Sequence, residues 1–113
     1  MHTPNKEVEM KAQIWVRKKA DMSDEDFKDY WLTKHAPIAG DGYENLKGYV
    51  VHLVTRVPEG QEKPYDGVAE LTWEDRDGFK ADMASDVAKA STDDLANFTD
   101  GFGLLFVEEH RVK

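Results

Sequence analysis

The chain has 113 residues, and its 23 Asp and Glu outnumber its 15 Lys and Arg, which gives a formal net charge of −8. This negative charge repels phosphate groups, so it argues against nucleic acids and anionic membrane surfaces as partners. The absence of cysteine excludes disulfides, thiol catalysis and thiolate metal sites. No apolar run resembles a membrane helix or a signal peptide, so we expect one domain in a cytoplasmic protein.

The first part of the chain predicts a strand followed by a helix. Residues 1–8 predict a flexible lead-in to a domain at 9–113. Apolar and polar residues alternate from Met10 to Arg17, which is typical of a strand. Ser23 then marks a helix N-cap, and Pro37 is expected to end that helix because proline disfavours helical geometry in the residue before it. One side of the helix carries three aromatic side chains and a histidine, namely Phe27, Tyr30, Trp31 and His35.

The remaining chain shows the same two periodicities. Alternation predicts three further strands, at Leu46–Val57, Tyr65–Glu74 and Phe102–Arg111. A helical period predicts a second helix, capped by Asp75 or Asp77 and carrying a core stripe of Phe79, Met83 and Val87. A short helical turn is expected at Thr92–Phe98, with Ser91 or Thr92 as its cap.

These elements follow one another as β-α-β-β-α-β, the order of the ferredoxin-like split βαβ fold. We therefore predict an α+β domain with a four-stranded antiparallel sheet and two helices on one face. Apolar residues lie on both faces of the strands, as at Val50 and Val51 or at Leu104 and Leu105. Because one helical layer covers only one face, we expect a homodimer in which two sheets meet face to face.

Histidine is the first candidate for chemistry, because its unperturbed pKa lies near neutrality. His2 falls in the lead-in, and His110 stands beside two glutamates and is expected to be solvated. His35 has two interpretations: a cation that stabilises a helix C-terminus, or a general acid or base at the mouth of an aromatic pocket. His52 lies within a strand, where it either lines the same cavity or sits in the dimer seam.

Glu70 is the main carboxylate candidate. It lies within the third predicted strand, where a glutamate usually faces solvent, but the same face is a candidate cavity wall or dimer seam. Asp66 begins that strand and is a lesser candidate. The remaining acids near the second helix are interpreted as caps and turn residues, namely Asp93, Asp94 and Asp100.

The sequence shows no motif for a metal or an organic cofactor. No two histidines have the spacing of a local metal site, the glycines do not form a phosphate loop, and no serine has the context of a nucleophile elbow. We therefore expect no metal and no cofactor. The residues present suit a pocket for a small, flat organic molecule, and proton transfer is the chemistry that histidine and carboxylates perform unaided.

The chain resembles the EthD family of dimeric α/β-barrel proteins over roughly residues 10–112. That family carries an aromatic element with a Trp and a His-Ala-Pro run at the end of its first helix. The corresponding residues of this chain are Phe27, Tyr30, Trp31, His35, Ala36 and Pro37. Supporting matches lie at residues 46–49, residues 65–73, Asp94, Phe98, Asp100, Glu108 and Glu109.

The resemblance implies a ferredoxin-like fold, a homodimer, and an internal pocket between the helices and the sheet of each protomer. Members of the family include polyketide cyclases, dehydratases, a muconolactone isomerase, and proteins that accompany oxygenases in the breakdown of ethers and aromatics. For this chain, the resemblance implies that His35 performs acid/base chemistry and that Trp31 and Tyr30 shape the pocket.

Two functions from different classes remain open. In the first, the protein is a cofactor-free cyclase, dehydratase or other lyase, or isomerase for an aromatic or polyketide-like compound. His35 would transfer the proton, with Glu70 or His52 as the second group. In the second, the protein binds a hydrophobic intermediate for a partner oxygenase without converting it; a cofactor-free monooxygenase would share the same pocket. The aromatic residues expected to contact the bound molecule are Trp31, Tyr30, Trp73, Phe27 and Tyr65.

Overall fold

The four predicted strands are present and form one antiparallel sheet. In the computed structural model, which describes residues 9–113, they are β1 (Met10–Lys18), β2 (Leu46–Leu53), β3 (Gly67–Trp73) and β4 (Thr99–Val107). Their order across the sheet is β2-β3-β1-β4, and each neighbouring pair is antiparallel. This order confirms the ferredoxin-like fold. The predicted lead-in at residues 1–8, with His2, lies outside the described residues.

Two helical runs connect the strands. The first contains α1 (Asp24–Tyr30), a π-helical turn (Trp31–His35) and α2 (Ala36–Gly42). The second contains α3 (Arg76–Met83), α4 (Asp86–Asp94) and a 3₁₀ turn (Leu95–Asn97). Within residues 9–113, no helix is both long enough and apolar enough to cross a bilayer.

Strand register divides the sheet residues between a helix-side face and an outer face. Ala12 on β1 stands opposite Leu71 on β3, and both are buried beneath the helices. The next residue along β1, Gln13, stands between Glu70 on β3 and Leu105 on β4, and all three lie on the outer face. Because successive side chains alternate, each strand contributes one row to each face.

The first helical run continues past Pro37, so the prediction that Pro37 ends the helix is wrong. Ser23 caps the run as predicted, since its Oγ accepts a hydrogen bond of 3.0 Å from the backbone N–H of Asp26. In the π-helical turn, the N–H of Ala36 donates to the carbonyl of Trp31, five residues back. This wider turn makes room for the proline ring, which in a regular helix would collide with the carbonyl four residues before it. Pro37 then occupies the first turn of α2, where its missing N–H costs least.

The second helical run also differs from its prediction. Asp75 is the cap, accepting a 2.8 Å hydrogen bond from the N–H of Gly78, and the helix then breaks before Ser85. The separate turn predicted from Thr92 is instead the continuation of α4, so neither Ser91 nor Thr92 is a cap. The predicted turn has no start of its own, because α4 (86–94) passes directly into the 3₁₀ turn (95–97).

The strands are offset from their predicted limits, and the offset matters for Tyr65. β3 begins only at Gly67, so the alternation that linked Tyr65 with Leu71 does not extend to it. The Tyr65 ring instead contacts Trp15, with 6.4 Å between ring centroids. Trp15 belongs to the outer-face row of β1, and therefore Tyr65 lies on that side of the sheet. β2 ends at Leu53, and β4 spans Thr99–Val107 rather than 102–111.

A buried carboxylate fastens α3 to the sheet. Asp82 is only 3% exposed. It accepts hydrogen bonds from the indole Nε1 of Trp73 at 2.8 Å, and from the side-chain and backbone nitrogens of Asn45 at 3.0 and 3.1 Å. Buried carboxylates are stable when such donors replace water. Asp82 thus connects α3, β3 and the segment that leads into β2.

We expect Asp82→Ala to lower the free energy of unfolding by about 3 kcal/mol, because the buried indole N–H of Trp73 loses its acceptor and the hydrogen bonds from Asn45 are lost as well. Chemical denaturation followed by circular dichroism measures the change. Asp77→Ala, at an exposed position of the same helix, is the control and should cost less than about 1 kcal/mol. Equal losses in the two variants would contradict the role given to Asp82.

Candidate active site

An apolar cavity lies between the helix-side face and the helices. Its volume is about 140 Å³. An engineered cavity of roughly 150 Å³ in another protein takes up benzene, so this volume suits a single aromatic ring. Both helical runs and all four strands contribute to its wall, through residues that include Trp31, His35, Tyr49, Trp73, Leu95 and Phe106.

The cavity meets solvent along β4. Phe102, Leu104 and Phe106 form the helix-side row of that strand, line the cavity, and are each about half exposed. Trp31 and Trp73, in contrast, are almost fully buried. The β4 row is therefore an exposed part of the cavity wall, and the two tryptophans are its buried part.

The cavity wall contains one histidine among the described residues, His35. It is 6% exposed and stands at the end of the π-helical turn. Its Nδ1 lies 2.8 Å from Oδ2 of Asp94, and its ring contacts Phe98 with 4.7 Å between centroids. Within residues 9–113 its Nε2 has no hydrogen-bond partner. Nε2 is therefore the ring nitrogen that remains for a molecule in the cavity.

Asp94 organises the polar side of the site. Its Oδ1 accepts hydrogen bonds from the hydroxyl of Tyr30 at 2.6 Å and from the amide of Asn97 at 2.9 Å. Partial burial opposes ionisation, but the hydrogen bonds from Tyr30, Asn97 and His35 outweigh it and lower the pKa of Asp94. An ionised Asp94 can only accept, so His35 carries its hydrogen on Nδ1. Burial, only partly offset by Asp94, lowers the pKa of His35, which is neutral at pH 7.

The π-helical turn keeps the cavity-lining residues of the first helical run in one row. Trp31, His35, Ala39 and Tyr43 all line the cavity at intervals of four residues. In a regular α-helix, each interval of four would turn the side chain by a further ~40°. The wider turn rotates less per residue and therefore reduces this drift.

The ring of Trp31 lies directly over β3. Gly67 leaves the space that the ring occupies, since a Cβ built there would lie 2.5 Å from Cζ3 of Trp31. The indole Nε1 of Trp31 donates a hydrogen bond of 3.2 Å to the hydroxyl of Tyr49 on β2. Trp31 thus forms a wall of the cavity and fixes the position of Tyr49.

The structure brings only some of the predicted site residues together. Trp31, Trp73 and His35 line the cavity. Phe27 and Tyr30 lie behind its wall: Phe27 packs edge-on against Trp31 at 5.5 Å, and the Tyr30 hydroxyl is bound to Asp94, the partner of His35.

The other three candidates lie on the far side of the sheet. His52 stands opposite Val68, and Glu70 stands opposite Val50 and Gln13, in the outer-face rows. Tyr65 lies with Trp15 on the same side. The sheet therefore lies between His35 and all three of these residues, and the structure does not bring Glu70 or His52 to the His35 side.

Asp94 is the partner that the sequence interpretation missed, because it was assigned to a cap or turn. It pairs with His35 at a sequence separation of 59 residues, and local spacing carries no signal for such a contact. The signal that could have indicated a role for Asp94 in the site was its match to the EthD pattern. Within the described range 9–113, no three His, Asp or Glu side chains are grouped so as to hold a metal ion.

Fold and site together define a small α+β protein with an internal, mostly apolar cavity whose wall contains a histidine paired with an aspartate. The sequence profile of the EthD domain matches residues 19–101. The chain belongs to the EthD family.

Solved structures support the fold assignment. A protein of the ethyl tert-butyl ether D (EthD) family from Bacillus halodurans has a TM-score of 0.72 and 22% identity, covering 89% of this chain and 99% of that one. The hydroxynitrile lyase of Passiflora edulis has a TM-score of 0.70 and 12% identity, covering 92% and 97%. A dimeric ferredoxin-like protein from Thermobifida fusca has a TM-score of 0.69 and 15% identity, covering 89% and 91%. No curated protein matches the sequence.

The buried histidine makes the stability of the fold depend on pH. Because the pKa of His35 is lower in the folded chain, the unfolded state binds more protons once the pH falls to about 6.5, the ordinary histidine value. We therefore expect the free energy of unfolding to decrease between about pH 7.5 and pH 5.5. Urea denaturation at several pH values measures this slope. In His35→Gln the slope should be smaller, and an unchanged slope would count against burial of a neutral imidazole.

Proposed function

We propose that this protein is an enzyme that transfers protons within a small, flat, uncharged organic molecule, with His35 as the acid/base group. The observation that carries the proposal is the His35–Asp94 pair in the wall of an apolar cavity. Isomerisation, cyclisation and dehydration or another lyase reaction are the classes that such a group can serve.

The protonation state of His35 suits the task. A neutral imidazole with Nδ1 bound to Asp94 presents the lone pair of Nε2 to the cavity. When Nε2 takes a proton from the substrate, the imidazolium is stabilised by the adjacent carboxylate of Asp94. The same nitrogen then returns the proton to a second position of the substrate, and His35 is restored.

The cavity wall indicates the charge of the substrate. Among the described residues, no Lys, Arg, Asp or Glu side chain lines the cavity. A carboxylate or phosphate ester would therefore lose its hydration without gaining a cation. An aromatic or polyketide-like compound without charge would instead bury apolar surface against Trp31, Trp73 and Leu71.

We expect His35→Ala to lower turnover by about 10²–10⁴-fold on a substrate found in a panel of flat phenols, lactones and aryl ketones. Quenching of tryptophan fluorescence detects binding, and mass spectrometry detects the product. His52→Ala removes a histidine from the outer face and should retain activity. Binding without conversion in the wild type would favour the carrier function, in which the protein only holds a hydrophobic intermediate.

We expect Asp94→Asn to shift the pH profile of kcat to lower pH, besides lowering kcat. Asp94 raises the pKa of His35, so its loss leaves burial unopposed and lowers that pKa further. Steady-state kinetics between about pH 5 and pH 9 would record the shift. A lower kcat with an unmoved profile would mean that Asp94 acts only in stability.

We also propose that the outer face is covered by a second copy of the chain. Val50 and Leu105 are half-exposed there, beside the less exposed Trp15 and Val68. The similar protein from Thermobifida fusca is described as dimeric, which supports this arrangement. Burying such rows between two sheets stabilises the assembly by the hydrophobic effect.

Sedimentation at micromolar concentration should give twice the chain mass of 12.9 kDa for the wild type. We expect Leu105→Arg to shift the protein towards monomer, because a charge replaces buried apolar surface. Leu32→Arg, at an exposed leucine of the π-helical turn, should remain dimeric. A monomeric wild type would exclude the proposed pairing.

A further inference from the structure

Tyr49 presents a hydroxyl to the cavity from the sheet side. It stands on β2 opposite Leu71, in a helix-side row, and lines the cavity. Its oxygen accepts the 3.2 Å hydrogen bond from Nε1 of Trp31. In the described part of the chain, its own O–H has no acceptor. The O–H of Tyr49 is therefore available to donate one hydrogen bond.

The hydroxyl of Tyr30 is not available in the same way. It donates to Asp94 at 2.6 Å, and Tyr30 lies behind the cavity wall rather than in it. Tyr49 differs from Tyr30 in lining the cavity and in keeping its donor for a bound molecule.

Tyr49 and His35 approach the cavity from opposite layers. Tyr49 belongs to the sheet and His35 to the first helical run. Trp31, one turn before His35, contacts the Tyr49 hydroxyl, and the rings of Trp31 and His35 both pack on Phe98, at 5.8 and 4.7 Å. Both residues line the same cavity, so one small molecule in it can contact both groups.

We infer that Tyr49 donates a hydrogen bond to the carbonyl oxygen of the substrate, an assignment that rests on the proposed proton-transfer function. His35 Nε2 would remove a proton from the carbon next to that carbonyl. The electrons of the C–H bond form a carbon–carbon double bond, the carbonyl bond becomes C–O⁻, and the Tyr49 O–H stabilises the negative oxygen. The imidazolium then returns the proton to another atom, so no oxidant or second substrate is consumed.

The surroundings strengthen Tyr49 as a donor. The hydrogen bond from Trp31 withdraws electron density from the phenol oxygen, which makes its O–H more polar. Burial, partly offset by Trp31, raises the pKa of Tyr49, so the hydroxyl keeps its proton at neutral pH. The inferred substrate is accordingly an uncharged carbonyl compound rather than any flat apolar molecule.

Two isosteric probes test the assignment without knowledge of the natural substrate. Acetophenone carries a carbonyl where α-methylstyrene carries a CH₂ group of similar shape. We expect infrared spectra of acetophenone bound to the wild-type protein to show a lower carbonyl stretching frequency than acetophenone in hydrocarbon solvent. An unshifted frequency would overturn the assignment, and this measurement does not depend on any variant.

We expect Tyr49→Phe to weaken acetophenone binding by about fivefold, the effect of one lost hydrogen bond, and to change α-methylstyrene binding less than about twofold. Tyr65→Phe, the same substitution on the outer face, should leave both dissociation constants unchanged. Because Tyr49→Phe also leaves Nε1 of Trp31 without its acceptor, thermal denaturation must first show that the variant is folded. Equal weakening of both probes would overturn the assignment.

Hydrogen exchange separates this inference from the proposed function. NMR in D₂O follows deuterium uptake at the methyl group of acetophenone, which requires removal of a proton next to the carbonyl. Exchange that disappears in His35→Ala supports the proton-transfer function. If exchange requires His35 but the carbonyl frequency is unshifted, Tyr49 is excluded and the function stands. If the frequency is shifted but protein-catalysed exchange survives in His35→Ala, the function fails while Tyr49 remains a carbonyl ligand.

Discussion

The site depends on the hydrogen bond between His35 and Asp94, which joins the π-helical turn of the first helical run to the end of α4. This one contact fixes the tautomer of the imidazole and directs its free nitrogen to the cavity. It also gives the buried ring a charged partner, while Tyr30 and Asn97 hold that partner in place. Without it, the cavity would be a hydrophobic space with an unoriented histidine in its wall.

The local sequence pattern predicted the strands and helices of the fold and one member of this pair, His35. Alternation located all four strands, and the spacing of Trp31 and His35 placed both on one side of a helix, which is where they lie. Alternation says which residues share a face, but not which face the helices cover. For that reason His52 and Glu70 were candidates for the site, although the sheet separates them from it. Asp94 was missed because its contact with His35 is long-range, and only packing of the whole fold creates it.

The errors in helix boundaries have a common physical origin. The rules for proline and for caps describe regular α-helical geometry, and both helical runs depart from that geometry where they border the cavity. A π-helical turn carries the chain past Pro37, and a break at residues 84–85 divides α3 from α4.

Because Trp31 and Gly67 are in contact, the residues allowed at these two positions depend on each other, although the positions are far apart in the chain. No side chain fits at position 67 while the indole lies over it, since even a Cβ would be 2.5 Å from Cζ3 of Trp31. A side chain at position 67 therefore requires the Trp31 ring to shift or a smaller residue to replace it. Substitutions at the two positions are coupled, and each changes the shape of the cavity at the other.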